Sequence, residues 1–108
     1  IAEANTSEIL ATCFHEARHA FQWECICGNY KGNETIDDDT ILIWKNEMNN
    51  YYLPSKRMMP EEEYLKQNIE IDAISFAHQQ MKELFNIQTF IPNIIKEEVN
   101  KVLLSYKT

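Results

Sequence analysis

Three residues in one short stretch of this chain are of the types and spacing that bind and use a metal ion. His15 and His19 lie four residues apart, with Glu16 between them, in the pattern His-Glu-x-x-His. Residues four apart share one face of a helix, so both imidazoles can offer a nitrogen to the same ion. Glu16 lies beside them, within reach of a water on that ion. Two neutral nitrogen ligands, a carboxylate base and an open coordination position are what a zinc hydrolase needs.

The motif lies in a segment that we predict to be helical from Ala2 to Cys27, with Gly28 just beyond the C-terminal end. Apolar residues recur there at the i, i+3, i+4 spacing of an amphipathic helix. We predict that this stripe faces the core, with Cys13 as a small core residue: Ile9, Leu10, Cys13, Phe14, Ala17, Ala20 and Phe21. The alternative is that the histidine pair is an ordinary polar helix face, because so short a pattern also arises by chance.

Length and composition restrict the fold and the partners. The 108 residues predict a single helical domain, residues 1–108, and 44% hydrophobic residues are enough to form a core. Only two glycines and three prolines favour helices over a turn-rich β fold. A net charge of −7 argues against nucleic acid and anionic membranes as partners. Three cysteines without a CxxC pair indicate a reducing, cytoplasmic location.

The rest of the chain predicts three more helices, and the fold class is therefore all-α with about four helices. The second helix begins at Asp37 to Asp39, whose carboxylates suit a helix N-terminus, and ends near Asn50 or Tyr51. The third runs from Pro60 to about Phe85, and the fourth from about Asn93 to Tyr106.

A zinc site needs a third protein ligand, and the third helix offers one. Glu70 lies on its inward stripe together with the small residues Ala73 and Ala77, which allow a close approach to another helix. A carboxylate that faces a core is costly unless it is paired or binds metal. We therefore predict that Glu70 is the third ligand, and that Asp72 supports a ligand histidine by accepting its other ring proton. The alternative is that Glu70 lies at the edge of the stripe in a salt bridge.

His15-Glu16-x-x-His19 followed by Glu70-x-x-Ala73-x-x-Phe76-Ala77 resembles the gluzincin branch of the zinc metallopeptidases. In particular, it looks like the ImmA/IrrE-type peptidases, which are small bacterial and phage enzymes. The resemblance covers the first and third helices. It implies Zn²⁺ held by His15, His19 and Glu70, with Glu16 as the general base. It also implies that a zinc-activated water hydrolyses peptide bonds in a peptide or protein substrate.

The chain departs from that family in one respect. Zincin peptidases have a β-sheet before the motif helix, and its edge strand binds the substrate backbone, whereas only fourteen residues precede His15. We therefore expect an all-α chain, a fragment of a longer one, with weak or no activity on its own. The alternative function is a non-catalytic helical interaction module derived from a degenerate peptidase.

Zincin sites often add a tyrosine or histidine that holds the oxyanion, and the sequence does not choose among its candidates. For the tyrosines we expect core packing, and for the histidine an exposed helical position. The candidates are Tyr51, Tyr52, Tyr64 and His78.

Overall fold

The computed structural model describes residues 2–49 and 61–106, with the side chains of residues 6–49 and 62–106. Every regular element in these ranges is helical, so the predicted all-α fold class is confirmed. The helices are α1 (Ala2–Ile26), α2 (Asp38–Asn49), α3 (Glu61–Leu65), α4 (Asn68–Phe85) and α5 (Lys96–Ser105), with a 3₁₀ turn, Asn93–Ile95, before α5. The predicted end of the second helix, the predicted start of the third at Pro60, and Tyr51 and Tyr52 lie outside the described residues.

Two helix ends follow from local sequence signals. Gly28 has a φ of 75°, and the bonds from Asn29 N to Glu24 O (2.9 Å) and from Gly28 N to Cys25 O (3.1 Å) form a Schellman motif that ends α1. Asp37 caps α2, because its Oδ1 accepts a 2.7 Å bond from the Thr40 amide. Hydrogen bonds from Thr40 lower the pKa of Asp37.

The prediction of one continuous third helix is wrong. The chain makes the short helix α3, leaves helical geometry at Gln67 (φ −60°, ψ 140°), and starts again as α4. Glu47 of α2 caps the new start: its carboxylate accepts bonds from the backbone amides of Asn68 (2.9 Å) and Ile69 (2.8 Å). A carboxylate there satisfies amides that have no partner within the helix and complements the helix dipole. Because the cap fixes the start of α4, it also fixes the position of Glu70 in the first turn of that helix.

The helix α4 is the centre of the fold and packs against α1, α2 and α5. Cys25, Trp44 and Ile69 form one apolar cluster, which joins α1, α2 and α4. A second cluster joins α4 to the C-terminal helix; its buried members are Ile71, Ile95 and Val99. Among the described helices, none is both long and apolar enough to cross a bilayer.

The predicted inward stripe of α1 is wrong in most of its members. Ile9 is 61% exposed, and Cys13 is exposed and not in the core. Ala17 and Ala20 are exposed too. The face that meets α4 is instead the polar one, with Arg18 and Gln22 buried. That face can be buried because its groups find partners across the helix pair: among the described side chains, no buried nitrogen or oxygen lacks a hydrogen bond.

Candidate metal centre

The structure brings His15, His19 and Glu70 together at the contact between α1 and α4. The Nε2 atom of His15 lies 3.1 Å from Oε1 of Glu70, and the Nε2 atom of His19 lies 3.0 Å from Oε2 of Glu70. The two Nε2 atoms are 3.1 Å apart. The Glu70 side chain is 1% exposed, whereas those of the histidines are 23% and 17% exposed. A buried carboxylate thus faces two imidazoles whose edges reach solvent.

When Glu70 is ionised, protons alone cannot make all three of these contacts favourable. A carboxylate only accepts, so each Nε2 must carry a proton to bond to Glu70. The His15 and His19 nitrogens would then face each other as two donors. If one of them loses its proton to accept from the other, its lone pair faces the carboxylate. With Glu70 ionised, one short contact is therefore repulsive in every arrangement of protons, whereas a cation between the three groups would accept a lone pair from each of them.

The spacing of the three groups also fits a small cation. A tetrahedral zinc ion with ligand bonds of about 2.0–2.1 Å holds its ligand atoms roughly 3.3–3.4 Å apart. The three separations here are 3.0 to 3.1 Å. Small outward shifts of the side chains would reach the zinc geometry. Imidazole nitrogen and carboxylate oxygen are also the donor types that zinc accepts. On these observations the residues fit the ion that the sequence predicts.

Glu16 stands at the open side of the cluster. The ligand atoms of His15, Glu16 and His19 all lie within 4.8 Å of one another. The Glu16 side chain is exposed. With His15 it borders a cleft of about 340 Å³, whose other lining residues are Ala11, Thr12, Ile74, Ala77, Thr89 and Phe90. A carboxylate in this position can reach both a water in the cleft and the group that holds the ion.

Asp72 supports His19 through an intermediate residue and not through a direct bond to a ring nitrogen. The Nδ1 atom of His19 lies 2.9 Å from Oε1 of Gln22. The Nε2 atom of Gln22 donates to Oδ2 of Asp72 (2.8 Å) and to the carbonyl of Ile69 (3.0 Å). Asp72 therefore contacts Gln22, which contacts His19, and does not itself accept the ring proton of a histidine as the sequence predicted.

Arg18 completes the polar layer behind the cluster. Its guanidinium donates two hydrogen bonds to Asp72 (2.8 and 3.3 Å) and a bidentate pair of hydrogen bonds to Glu34 (3.1 and 3.0 Å). Its Cζ lies 4.2 Å from the centre of the Phe21 ring and 5.0 Å from that of Phe76. Burial lowers the pKa of Arg18, but the bonds to Glu34 and Asp72 outweigh burial and raise it, so the group stays charged. Glu34 also ties the loop after α1 to this layer.

Without a metal, His19 binds a proton more readily than a free imidazole does. Burial lowers its pKa, but the hydrogen bonds with Glu70 and Gln22, and the charges of Glu70 and Glu16, raise it overall. The negative groups that favour a proton on His19 would equally favour a metal cation. Proton and metal therefore compete for the same nitrogen.

The prediction that His78 is an exposed helical residue is wrong. It is 6% exposed, and its Nδ1 lies 2.8 Å from Oγ1 of Thr89. Burial lowers its pKa, with a smaller contribution from Lys82. Because Thr89 borders the cleft, the bond to His78 holds one wall in place. Tyr64 is half-buried on α3.

The sequence reasoning did not identify Arg18, Gln22, Glu34 and Glu47. A signal for the first two was present: Arg18 and Gln22 follow His15 by three and seven residues, so they share its helix face. Glu34 and Glu47 act on residues distant in the chain, and no local pattern marks them.

Comparison of this chain with protein-family models, with curated proteins and with solved structures finds no match. The geometry of the site and the spacing of its motifs are therefore the basis for a functional proposal.

Proposed function

We propose that this chain is a zinc-dependent metallopeptidase domain that hydrolyses peptide bonds, with Zn²⁺ held by His15, His19 and Glu70. The observation that carries the proposal is the approach of a buried carboxylate to two histidine nitrogens at 3.0 and 3.1 Å, beside a cleft that Glu16 borders. A buried carboxylate with two imidazoles can be explained as an ion pair alone. That explanation leaves one of the three contacts repulsive, as described above, and the zinc site does not.

Each residue has a distinct role in this proposal. His15, His19 and Glu70 bind the ion, which would lower the pKa of a water molecule and polarise the scissile carbonyl. Glu16 accepts a proton from a water in the cleft and passes it to the leaving nitrogen. Its carboxylate is suited to that role because it is solvent-accessible and close to the ligand nitrogens.

The substrate class rests on two features. The spacing of His15-Glu16-x-x-His19 and Glu70-x-x-Ala73 resembles that of gluzincin peptidases. The cleft beside Glu16 is about 340 Å³, and its lining is half apolar or small residues and half polar ones, so it can offer an organic ligand both apolar surface and hydrogen-bonding groups. We infer that a peptide lies in this cleft with its scissile carbonyl next to Glu16.

The test combines metal binding and cleavage. The wild-type chain should bind one zinc ion per molecule, measured by elemental analysis after dialysis, and should show at least weak cleavage of a denatured protein or a peptide library. Glu16→Gln should bind zinc equally well but cleave nothing, because an amide of the same shape cannot accept the proton. Glu24→Gln is the matched control, since Glu24 is an exposed glutamate on the same helix, eight residues further along.

Two results would contradict the proposal. A chain that binds no zinc at micromolar concentrations lacks the site, and cleavage that survives Glu16→Gln excludes Glu16 as the base.

Stoichiometric zinc without cleavage by any variant would favour the second candidate, a non-catalytic interaction module. The observation behind that candidate is the outward face of α1, where Ile9 and Trp23 are 61% and 50% exposed.

A further inference from the structure

We propose that Gln22 is the positioning residue of this metal centre, and that it holds His19 with Nδ1 protonated and Nε2 turned towards Glu70 and His15. The inference rests on the proposed zinc site and assigns to it a residue that the spacing of the ligands does not reveal. It starts from the partners that surround the Gln22 side chain.

Those partners fix which way the amide points. The NH₂ group and the oxygen of a glutamine are told apart by their hydrogen bonds. One end of the Gln22 amide lies 3.0 Å from the carbonyl oxygen of Ile69 and 2.8 Å from Oδ2 of Asp72. Asp72 is a carboxylate that already accepts from Arg18, so both of these partners only accept. The NH₂ group must lie at this end, and the oxygen at the other.

The position of the Gln22 oxygen determines which ring nitrogen of His19 carries a proton. Oε1 of Gln22 has only lone pairs to offer, and it lies 2.9 Å from Nδ1 of His19. Nδ1 must therefore carry a proton if the contact is to be a hydrogen bond. In a neutral imidazole the other nitrogen, Nε2, is then free of a proton. That nitrogen is the one that lies 3.0 Å from Glu70 and 3.1 Å from His15.

Gln22 is rigid enough for this role. It is 0% exposed, and its side chain is bonded at both ends. Asp72, which accepts from it, is held in turn by the buried guanidinium of Arg18. A partner that fixes the ring orientation and tautomer of a metal-binding histidine typically changes metal affinity when it is removed.

The test replaces Gln22 by methionine, which has a similar length and shape but neither a donor nor a strong acceptor. Gln22→Met should weaken zinc binding on the order of 10–100-fold, measured by competition with a chelator of known affinity. Ser75→Ala is the control. It removes a different buried polar side chain, whose only described bond is to Ile71 O on its own helix. It should leave the zinc affinity within about threefold of wild type, since the described bond of Ser75 reaches neither a proposed ligand nor Gln22.

A second readout needs no metal. In the zinc-free wild-type protein, the proton on Nδ1 of His19 should be visible by nuclear magnetic resonance and protected from exchange with water. It should lose that protection in Gln22→Met and keep it in Ser75→Ala. A residue that only fills space would change the free energy of unfolding without changing either the zinc affinity or this proton.

If Gln22→Met does not fold, Asp72→Asn replaces it. That variant leaves Gln22 in place but weakens the acceptor for its NH₂ group, and it should produce a smaller loss of zinc affinity and of protection at Nδ1. The inference is overturned if Gln22→Met binds zinc as tightly as Ser75→Ala, or if Nδ1 of His19 is unprotected in the wild-type protein. A wild-type chain that binds no zinc but protects this proton would refute the proposed function while keeping the hydrogen bond.

Discussion

The Nε atom of Arg18 donates to Oδ2 of Asp72 over 2.8 Å, and this bond ties α1 to α4 beside the histidine–carboxylate cluster. The Arg18 side chain is 4% exposed, so its charge depends on Asp72 and on Glu34, whose side chains are 16% and 43% exposed. The same Asp72 oxygen also accepts from Gln22. The Arg18–Asp72 ion pair therefore holds α1 against α4 and, through Gln22, helps to orient His19.

Replacement of Arg18 by methionine should lower the free energy of unfolding by about 2–4 kcal/mol. That is somewhat below the roughly 3–5 kcal/mol typical when one partner of a buried pair is removed, because Glu34 and Asp72 can be hydrated in part. Arg18→Lys should recover only part of the loss, since a lysine has no planar fork for two carboxylates. Urea unfolding in excess chelator measures both variants. A loss below about 0.5 kcal/mol for Arg18→Met would mean that the pair is not stabilising.

Zinc should stabilise the wild-type chain by about 2.7 kcal/mol at a free concentration 100 times its dissociation constant, because it binds the folded state preferentially. His15→Ala should remove that gain but change stability little in excess chelator, since the His15 side chain is 23% exposed. Thermal melting with and without zinc tests both. Equal losses in the two conditions would mean that His15 acts by packing and not as a ligand.

His78 should make the fold sensitive to acid. Burial lowers its pKa in the folded state below the ordinary 6.5, so the unfolded chain binds the proton more tightly. The stability that neutral His78 contributes is fully present above the pKa that His78 has in the unfolded chain. It is lost as the pH falls through that pKa towards the lower pKa of His78 in the folded protein. His78→Gln should therefore lose less stability than wild type between about pH 7.5 and about pH 5.5 in urea unfolding. A larger acid-induced loss in the variant would reverse the sign and contradict the prediction.

The cap that α2 gives to α4 should influence metal binding from a distance. Glu47→Ala removes the acceptor of the Asn68 and Ile69 amides, directly before Glu70. We expect a loss of about 0.5–2 kcal/mol in unfolding free energy, as for other helix caps. Zinc affinity should fall as well, because the first turn of α4 loosens. Lys45→Gln, an exposed change on the same helix, serves as the control. Unchanged zinc affinity in Glu47→Ala would show that the first turn does not need the cap.

Local signals in the sequence predicted much of the helical architecture. The end of α1 at Gly28 and the start of α2 at Asp37 depend on residues within one turn, and both are confirmed. The break at Gln67 was not predictable in this way. It depends on Glu47, which is twenty residues away in the chain and meets α4 only in the folded protein.

The candidate site was predictable only in part, for a related reason. The apolar period of the third helix predicted the inward position of Glu70, and the structure places it next to both histidines; metal binding itself stays a prediction. The burial of Arg18 and Gln22 was missed because apolar periodicity counts hydrophobic side chains alone. A polar face can be buried when each of its groups has a partner, and those partners lie on α4 and in the loop after α1.

The separation of the three proposed ligands along the chain would give the proposed metal centre an order of assembly. His15 and His19 share one helix, so they meet as soon as α1 forms, on the microsecond timescale of helix formation or faster. Glu70 is 55 residues from His15, and bringing it there requires closure of a long loop that contains α2. A folding chain thus passes from a two-ligand half-site of low affinity to a complete one only when α4 docks. Zinc binding followed in time during refolding would therefore report on the docking of α4 against α1.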